Sequence, residues 1–463
     1  TYTHTRIHAM HAHTLSLAPL SMPPHTLNGD LLRFAASALI APLALADHPS
    51  TLTTDRITVG VDLDKGGAIT LLSSKDLGNV VNNHDLGRQI QMSYYSGPVP
   101  FSINGQSPKE HWKHLGWNPI QSGDDFRNGS ITEAHTNDGR ELYTRSIPLQ
   151  WPLNKVPGEC RFESWIRAEG DRVRLRCRLT NRRSDTTSYP ARPQECPAVY
   201  TNARFHRIVS YTGDRPFTQQ ATQQITREKG KAGWAEWNAT EFWSATLDDS
   251  DRGLGLIRES RSWFIGGLDG APGANDTHAS ATAYIAGHEL ETIDHDITHE
   301  YQVTLVLGSL DRIRATASEL ASDRSPPRWT FDGTRQGWHS RNVNDPNPSG
   351  KDAWLIGPNA DDPQIVSPQT FWRAEDAGIL EIDASFATAS DQAQVFFRPY
   401  GHRGFSGPIP FKTTNDGMRR TLRVRLADAP EYRGGMLQIR IDPVPQGKLG
   451  DRVNIYSVRL IAE

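Results

Sequence analysis

Between Arg172 and Leu179 basic and apolar residues alternate one for one, with Arg172, Arg174, Arg176 and Arg178 set against Val173, Leu175, Cys177 and Leu179. A strand turns successive side chains to opposite faces, so this run predicts a half-buried β-strand. The preceding run, 160–167, has strand character too, and the turn-forming residues 168–171 between them predict a hairpin. Short segments of this kind, broken by Gly, Asn, Asp and Pro, continue from Arg56 onward; 242–247, 253–257, 281–286 and 300–308 are clear examples. One helix is predicted, over 310–320, where Leu310, Ile313, Ala317 and Leu320 share a face. The expected fold class is all-β and antiparallel.

Two breaks divide the chain. Ser325-Pro326-Pro327 cannot continue the helix before it and marks a linker, separating a large domain over 55–322 from a smaller one over 328–463. Upstream, residues 31–46 form an apolar, Ala-rich run ending Ala44-Leu45-Ala46, the pattern of a secretory signal peptide. Met22 reads as the start, and 1–46 is set aside as upstream segment and signal. The expected location is therefore secreted, periplasmic or cell surface, with no membrane span in the mature protein. The 50 basic and 53 acidic residues nearly cancel and form no basic block, which disfavours nucleic acid as a partner. Three cysteines allow at most one disulfide and have no C-x-x-C spacing. His295 and His299 lie four apart in a strand-like context, where that spacing does not converge two rings. No metal site or cofactor is expected; the acidic turn 248–251 reads as solvated, with structural calcium as its alternative.

Two stretches resemble known families. The run Ile57 to Leu72, with Gly66-Gly67-Ala68-Ile69 at its centre, followed by Gly78-Asn-Val-Val-Asn82, resembles the opening strands of galactose-mutarotase-like proteins. That resemblance implies a β-supersandwich for the large domain. Trp329-Thr-Phe-Asp-Gly with Gly337-Trp338, and the closing run Val453 to Leu460, resemble jelly-roll carbohydrate-binding modules. They imply a β-sandwich of that kind at the C-terminus, with sugar binding as the associated role. The mutarotase pattern of paired His and a late Glu is not found.

Candidate chemistry concentrates in residues 82–125. The run from Asn82 to Gly97 packs His84, Asp85, Arg88, Gln91, Tyr94 and Tyr95 among few apolar residues. Such a strand is costly to bury unless its polar groups find partners, and an array of sugar hydroxyls satisfies that need. The bland alternative is a self-contained network in which Asp85 pairs Arg88. A second segment carries Trp117, Asn118, Gln121 and Asp124, where aromatic platforms beside amides suit a saccharide, although Asn118 before Pro119 also suits a plain turn. Glycosidic hydrolysis needs two facing carboxylates. Asp85, Asp124, Glu163 and Glu195 are the candidates, with the two Glu equally suited to pairing nearby Arg. His84 is a further acid–base candidate. Arg88, Gln91, Tyr94, Tyr95, Trp117, Asn118 and Gln121 are the candidate sugar-binding residues. The expected function is hydrolysis of a polysaccharide or oligosaccharide. Elimination at a uronate, with Arg88 on the sugar carboxylate, and non-catalytic glycan binding are the alternatives. The glycan and the oligomeric state are not readable.

Overall fold

A computed structural model describes residues 50–227, 233–321, 325–345 and 352–463; the proposed signal run at 31–46 lies outside them. The alternating run of arginines is the strand Arg172–Asn181. It pairs antiparallel with Cys160–Glu169 through a tight turn in which Gly170 takes a φ of 59°. Val173, Leu175, Cys177 and Leu179 are buried, as the alternation requires. The hairpin sits inside a nine-stranded sheet, flanked by Glu141–Ile147 and Thr298–Ser309.

A second, eleven-stranded sheet lies against it and contains, in spatial order, Ser50–Thr53, Ile57–Asp62, Ala68–Ser74, Ile90–Ser93, Arg192–Asn202, Thr282–Glu291, Trp263–Asp269 and Ala235–Asn238. The strands therefore begin slightly before the expected boundary at 55. Val59, Val61, Ile69, Ile90, Met92, Val199 and Ile285 from this sheet meet Phe162, Leu175, Leu179, Val303 and Leu305 from the other. Their burial between two large antiparallel sheets is the main apolar core of a β-sandwich. The helix Leu310–Ala321 packs Ile313 and Ala317 onto Val209, Trp243 and Val306 on the other side of the nine-stranded sheet.

Two six-stranded antiparallel sheets form the C-terminal sandwich, one centred on Arg452–Ile461 and Ile379–Ala387, the other on Gly435–Asp442 and Gln392–Pro399. Its four tryptophans, Trp329, Trp338, Trp354 and Trp372, are all core residues, at most 5% exposed. They supply no surface platform for a sugar ring. The described residues pack as one compact unit, and the seam between the sandwiches is closed by specific bonds. The Ser262 N–H donates to Gln369 O at 3.0 Å, the Phe371 N–H to Ser262 Oγ at 2.8 Å, and Phe242, Phe371 and Leu437 form an apolar cluster across it. All three cysteines are buried and unpaired. No helix among the described residues is long and apolar enough to cross a membrane.

Candidate active site

Strand parity places the chemistry. In Ile90–Ser93, Ile90 and Met92 enter the core, so Gln91 and Ser93 face the opposite side of the eleven-stranded sheet. In Thr282–Glu291, Ile285 enters the core and Tyr284 faces out; in Trp263–Asp269, Phe264 enters and Ile265, Gly267 and Asp269 face out. Arg192–Asn202 breaks this rule: the register shifts between Glu195 and Ala198. This bulge lets Glu195 and Tyr200, five residues apart, point to the same side.

On that outer face is a cavity of about 280 Å³. Its floor is Gln91, Ser93, Tyr95, Glu195, Ala198, Tyr200 and Thr282, and its walls are Asp85, Arg88, Trp112, Asn118, Asp125, Trp151, Trp234 and Asp269. Trp112 belongs to the 3-10 helix Glu110–Leu115; it meets Trp151 edge-on at 5.9 Å, and its Nε1 donates to Asp125 Oδ2 at 3.1 Å. Trp234 covers Gly267, where a Cβ would lie 2.9 Å from the indole. Tyr200 stacks on Tyr284 at 4.5 Å, and Trp234 lies 5.1 Å from Tyr284 on a tilt.

Glu195 is the centre of this arrangement. Its Oε2 accepts from Tyr95 Oη at 3.2 Å and its Oε1 from Tyr284 Oη. Burial raises its carboxyl above the ordinary range, and the bonds from Tyr284, Ser93 and Tyr95 oppose that rise without cancelling it. The phenols of Tyr95 and Tyr284 are pushed well up, by burial first and the Glu195 charge second, so both remain donors. Three more carboxylates line the cavity. Asp85 accepts from the Gly87 N–H at 2.9 Å and pairs Arg88 at 3.4 Å. Asp125 pairs Lys109 at 2.7 Å. Asp269, exposed at its strand end, has no hydrogen-bond or ion-pair partner among the described residues. Asn118 is fully buried; its Nδ2 donates to Tyr94 O at 2.9 Å, and its Oδ1 is without a partner.

Of the residues picked out from sequence, Asp85, Arg88, Gln91, Tyr95, Asn118 and Glu195 come together here. Gln91 is spent on the scaffold: its amide donates to Leu86 O and accepts from the Ser122 N–H. The other six lie elsewhere. Tyr94 is inside the core with its Oη on His299 Nδ1 at 2.9 Å. Trp117 is 1% exposed in the same core. Gln121 is buried and bonds the Met92 N–H and Gly66 O. Asp124 organises a loop, accepting from the backbone of Phe126, Asn128 and Lys155 and from the Asn128 amide. Glu163 is on the other sheet, where its neighbours Phe162 and Ile166 enter the core and it turns outward to accept from Tyr143 Oη at 2.7 Å and pair Arg178. His84 is exposed, its Nδ1 on His278 O at 2.8 Å. In the acidic turn 248–251, Asp248 pairs Arg204 at 3.0 Å and Asp251 pairs Arg207 at 2.6 Å.

Sequence reading missed Trp151, Tyr200, Asp269 and Tyr284. Asp269 and Tyr284 sit on strands whose parity could be read, but nothing local says that those strands adjoin Glu195. Tyr200 was hidden by the bulge.

No family model matches the chain, and no curated protein matches it. Similar solved structures include a galactose mutarotase related enzyme from Lactobacillus acidophilus, at 9% identity and a TM-score of 0.35, over 56% of this chain and 97% of that one. The 4-alpha-glucanotransferase of Thermococcus litoralis is similar at 14% identity and a TM-score of 0.32, over 56% of this chain and 37% of that one. The alpha-galactosidase of Lactobacillus brevis is similar at 8% identity and a TM-score of 0.33, over 57% and 40%. Likeness at this level carries no functional information.

Proposed function

We propose that this protein is a carbohydrate-active enzyme that hydrolyses a glycosidic bond, with Glu195 as general acid and Asp269 as the facing carboxylate. One observation carries the reading: a carboxyl whose pKa is raised by burial sits in a cavity ringed by Trp112, Trp151, Trp234 and Tyr200. Hydrolysis needs one carboxyl held protonated and one ionised, and environments that push two acids apart assign those roles. Glu195 is buried among phenols, whereas Asp269 is exposed and uncommitted. Indole faces bind the C–H faces of a pyranose. In this reading Asp85 holds Arg88, and the role of acid falls to Glu195.

Elimination at a uronate is the second reading, favoured by the three phenols around Glu195. Against it, the Arg88 guanidinium is engaged by Asp85 and by the Ser280 carbonyl, so no uncommitted cation among the described lining residues awaits a sugar carboxylate. Export directed by residues 31–46 belongs to the same proposal. The test is a panel of neutral and uronate glycans, read for reducing ends and for ultraviolet absorbance of unsaturated products. New reducing ends alone support hydrolysis; an unsaturated product overturns it for elimination. Binding with neither product moves the protein to a non-catalytic glycan binder.

A further inference from the structure

The strand Thr282–Glu291 has a second polar face. Tyr284 faces outward and bonds Glu195, while Glu289 and Glu291 follow Ile285 toward the space between the sheets, where His299 of Thr298–Ser309 meets them. Each of the three brings one ligand-type atom within 4.8 Å of the other two. They are 6%, 2% and 8% exposed.

Two of these groups are unfinished. The Glu291 carboxylate receives one hydrogen bond, from the Thr292 N–H at 3.0 Å. His299 Nδ1 is engaged by Tyr94 Oη at 2.9 Å, which leaves Nε2 without a hydrogen bond among the described residues. Glu289, by contrast, is held by Arg258 at 3.1 Å and Arg261 at 3.0 Å. Arg335, fully buried, is shared by Asp294 and Asp345. Of the four carboxylates gathered here (Glu289, Glu291, Asp294, Asp345), Glu291 is the one with no ion pair to Arg258, Arg261 or Arg335.

We propose that Glu291 and His299, backed by Glu289, form a buried site for one divalent transition-metal cation. An imidazole with carboxylates is a mixed nitrogen and oxygen set, which suits Zn²⁺, Mn²⁺ or Co²⁺ better than Ca²⁺, whose ligands are oxygens. A ring held at one nitrogen by a fixed partner, as Tyr94 holds His299, presents the other nitrogen in a set direction. The guanidiniums on Glu289 limit it to a supporting share of the ligation. The site adjoins the seam between the sandwiches: a Cβ on Gly337 would lie 2.6 Å from Glu289 Oε1, and Arg261 donates to Gln336 O. Its role is structural, tying the two sheets of the larger sandwich to each other beside the seam.

The test uses the full chain, stripped with a chelator and then given Zn²⁺, Mn²⁺ or Co²⁺ alone. Expected are one ion retained per chain, a rise of several degrees in the unfolding midpoint, and visible absorption bands with Co²⁺. Glu291→Gln and His299→Gln should each weaken binding at least tenfold. Failure of the wild type to retain any ion or to shift its midpoint overturns the site, as does binding that both substitutions leave unchanged. Should His299→Gln not fold, the Co²⁺ spectrum of the wild type decides, and no bands means no site. If Glu291→Gln without metal is as stable as the metal-loaded wild type, Glu291 simply carries a proton, and the proposal fails.

Discussion

Glu195 is where the environment of one residue is turned into chemistry. Replacing it by Gln keeps the phenol contacts but removes the transferable proton, so turnover on the substrate found in the panel should fall about 10²–10⁴-fold, the usual range for a general acid. The fold, followed by circular dichroism, should be unchanged. The pH dependence has a definite sign. The acid form is the active one, so kcat/KM declines as pH rises through the raised pKa of Glu195. The Tyr284 bond favours the ionised form; Tyr284→Phe removes it, raises the pKa further and should move the alkaline limb to higher pH. A limb that stays put or moves down would argue against Glu195 as the acid. The dense polar run after Asn82 contributes Asp85, Arg88, Gln91 and Tyr95 to the lining of one cavity. Composition could not say which of its members look inward, and Tyr94 joins the core because it has the parity of Ile90 and Met92.

At the scale of elements, a loop and a bulge do most of the positioning. Asp124 shows how a carboxylate in a promising segment can be wholly structural. Its two oxygens take backbone bonds from Phe126, Asn128 and Lys155, so Asp124→Ala should cost about 3 kcal/mol, since hydrogen bonds to a charged group are the stronger kind. Thermal or denaturant unfolding would register that loss, while the folded fraction keeps its kcat. If kcat instead collapsed with stability intact, Asp124 would belong to the chemistry. The loop over the cavity works through Trp112 and Trp151, and Trp151→Ala should raise KM about tenfold, a loss of about 1.4 kcal/mol, with less effect on kcat. The hairpin 160–181 was predictable because the alternation over 172–179 leaves one register that buries the apolar set. The bulge between Glu195 and Ala198 was not, because an extra residue is tolerated only where neighbouring strands accommodate it.

Across the whole molecule, the C-terminal sandwich is part of the architecture and not a tethered accessory. Arg335 carries two buried ion pairs across and within the seam. Arg335→Ala would strand Asp294 and Asp345, at a cost of about 3–5 kcal/mol, and the unfolding midpoint of the full chain should drop accordingly. An unchanged midpoint would mean the seam is held by its apolar contacts alone. The burial of Trp329, Trp338, Trp354 and Trp372 likewise predicts that affinity for a glycan resides with the larger sandwich. The local alternation of apolar and polar residues was enough to establish an all-β chain and the faces of its regular strands, because side-chain direction in a strand depends only on its own backbone. It could not join Glu195 with Tyr284 and Asp269, because those meetings depend on which distant strands become neighbours in one sheet, nor Glu291 with His299, which are close in the chain but belong to different sheets and meet only because the two sheet faces are buried against each other.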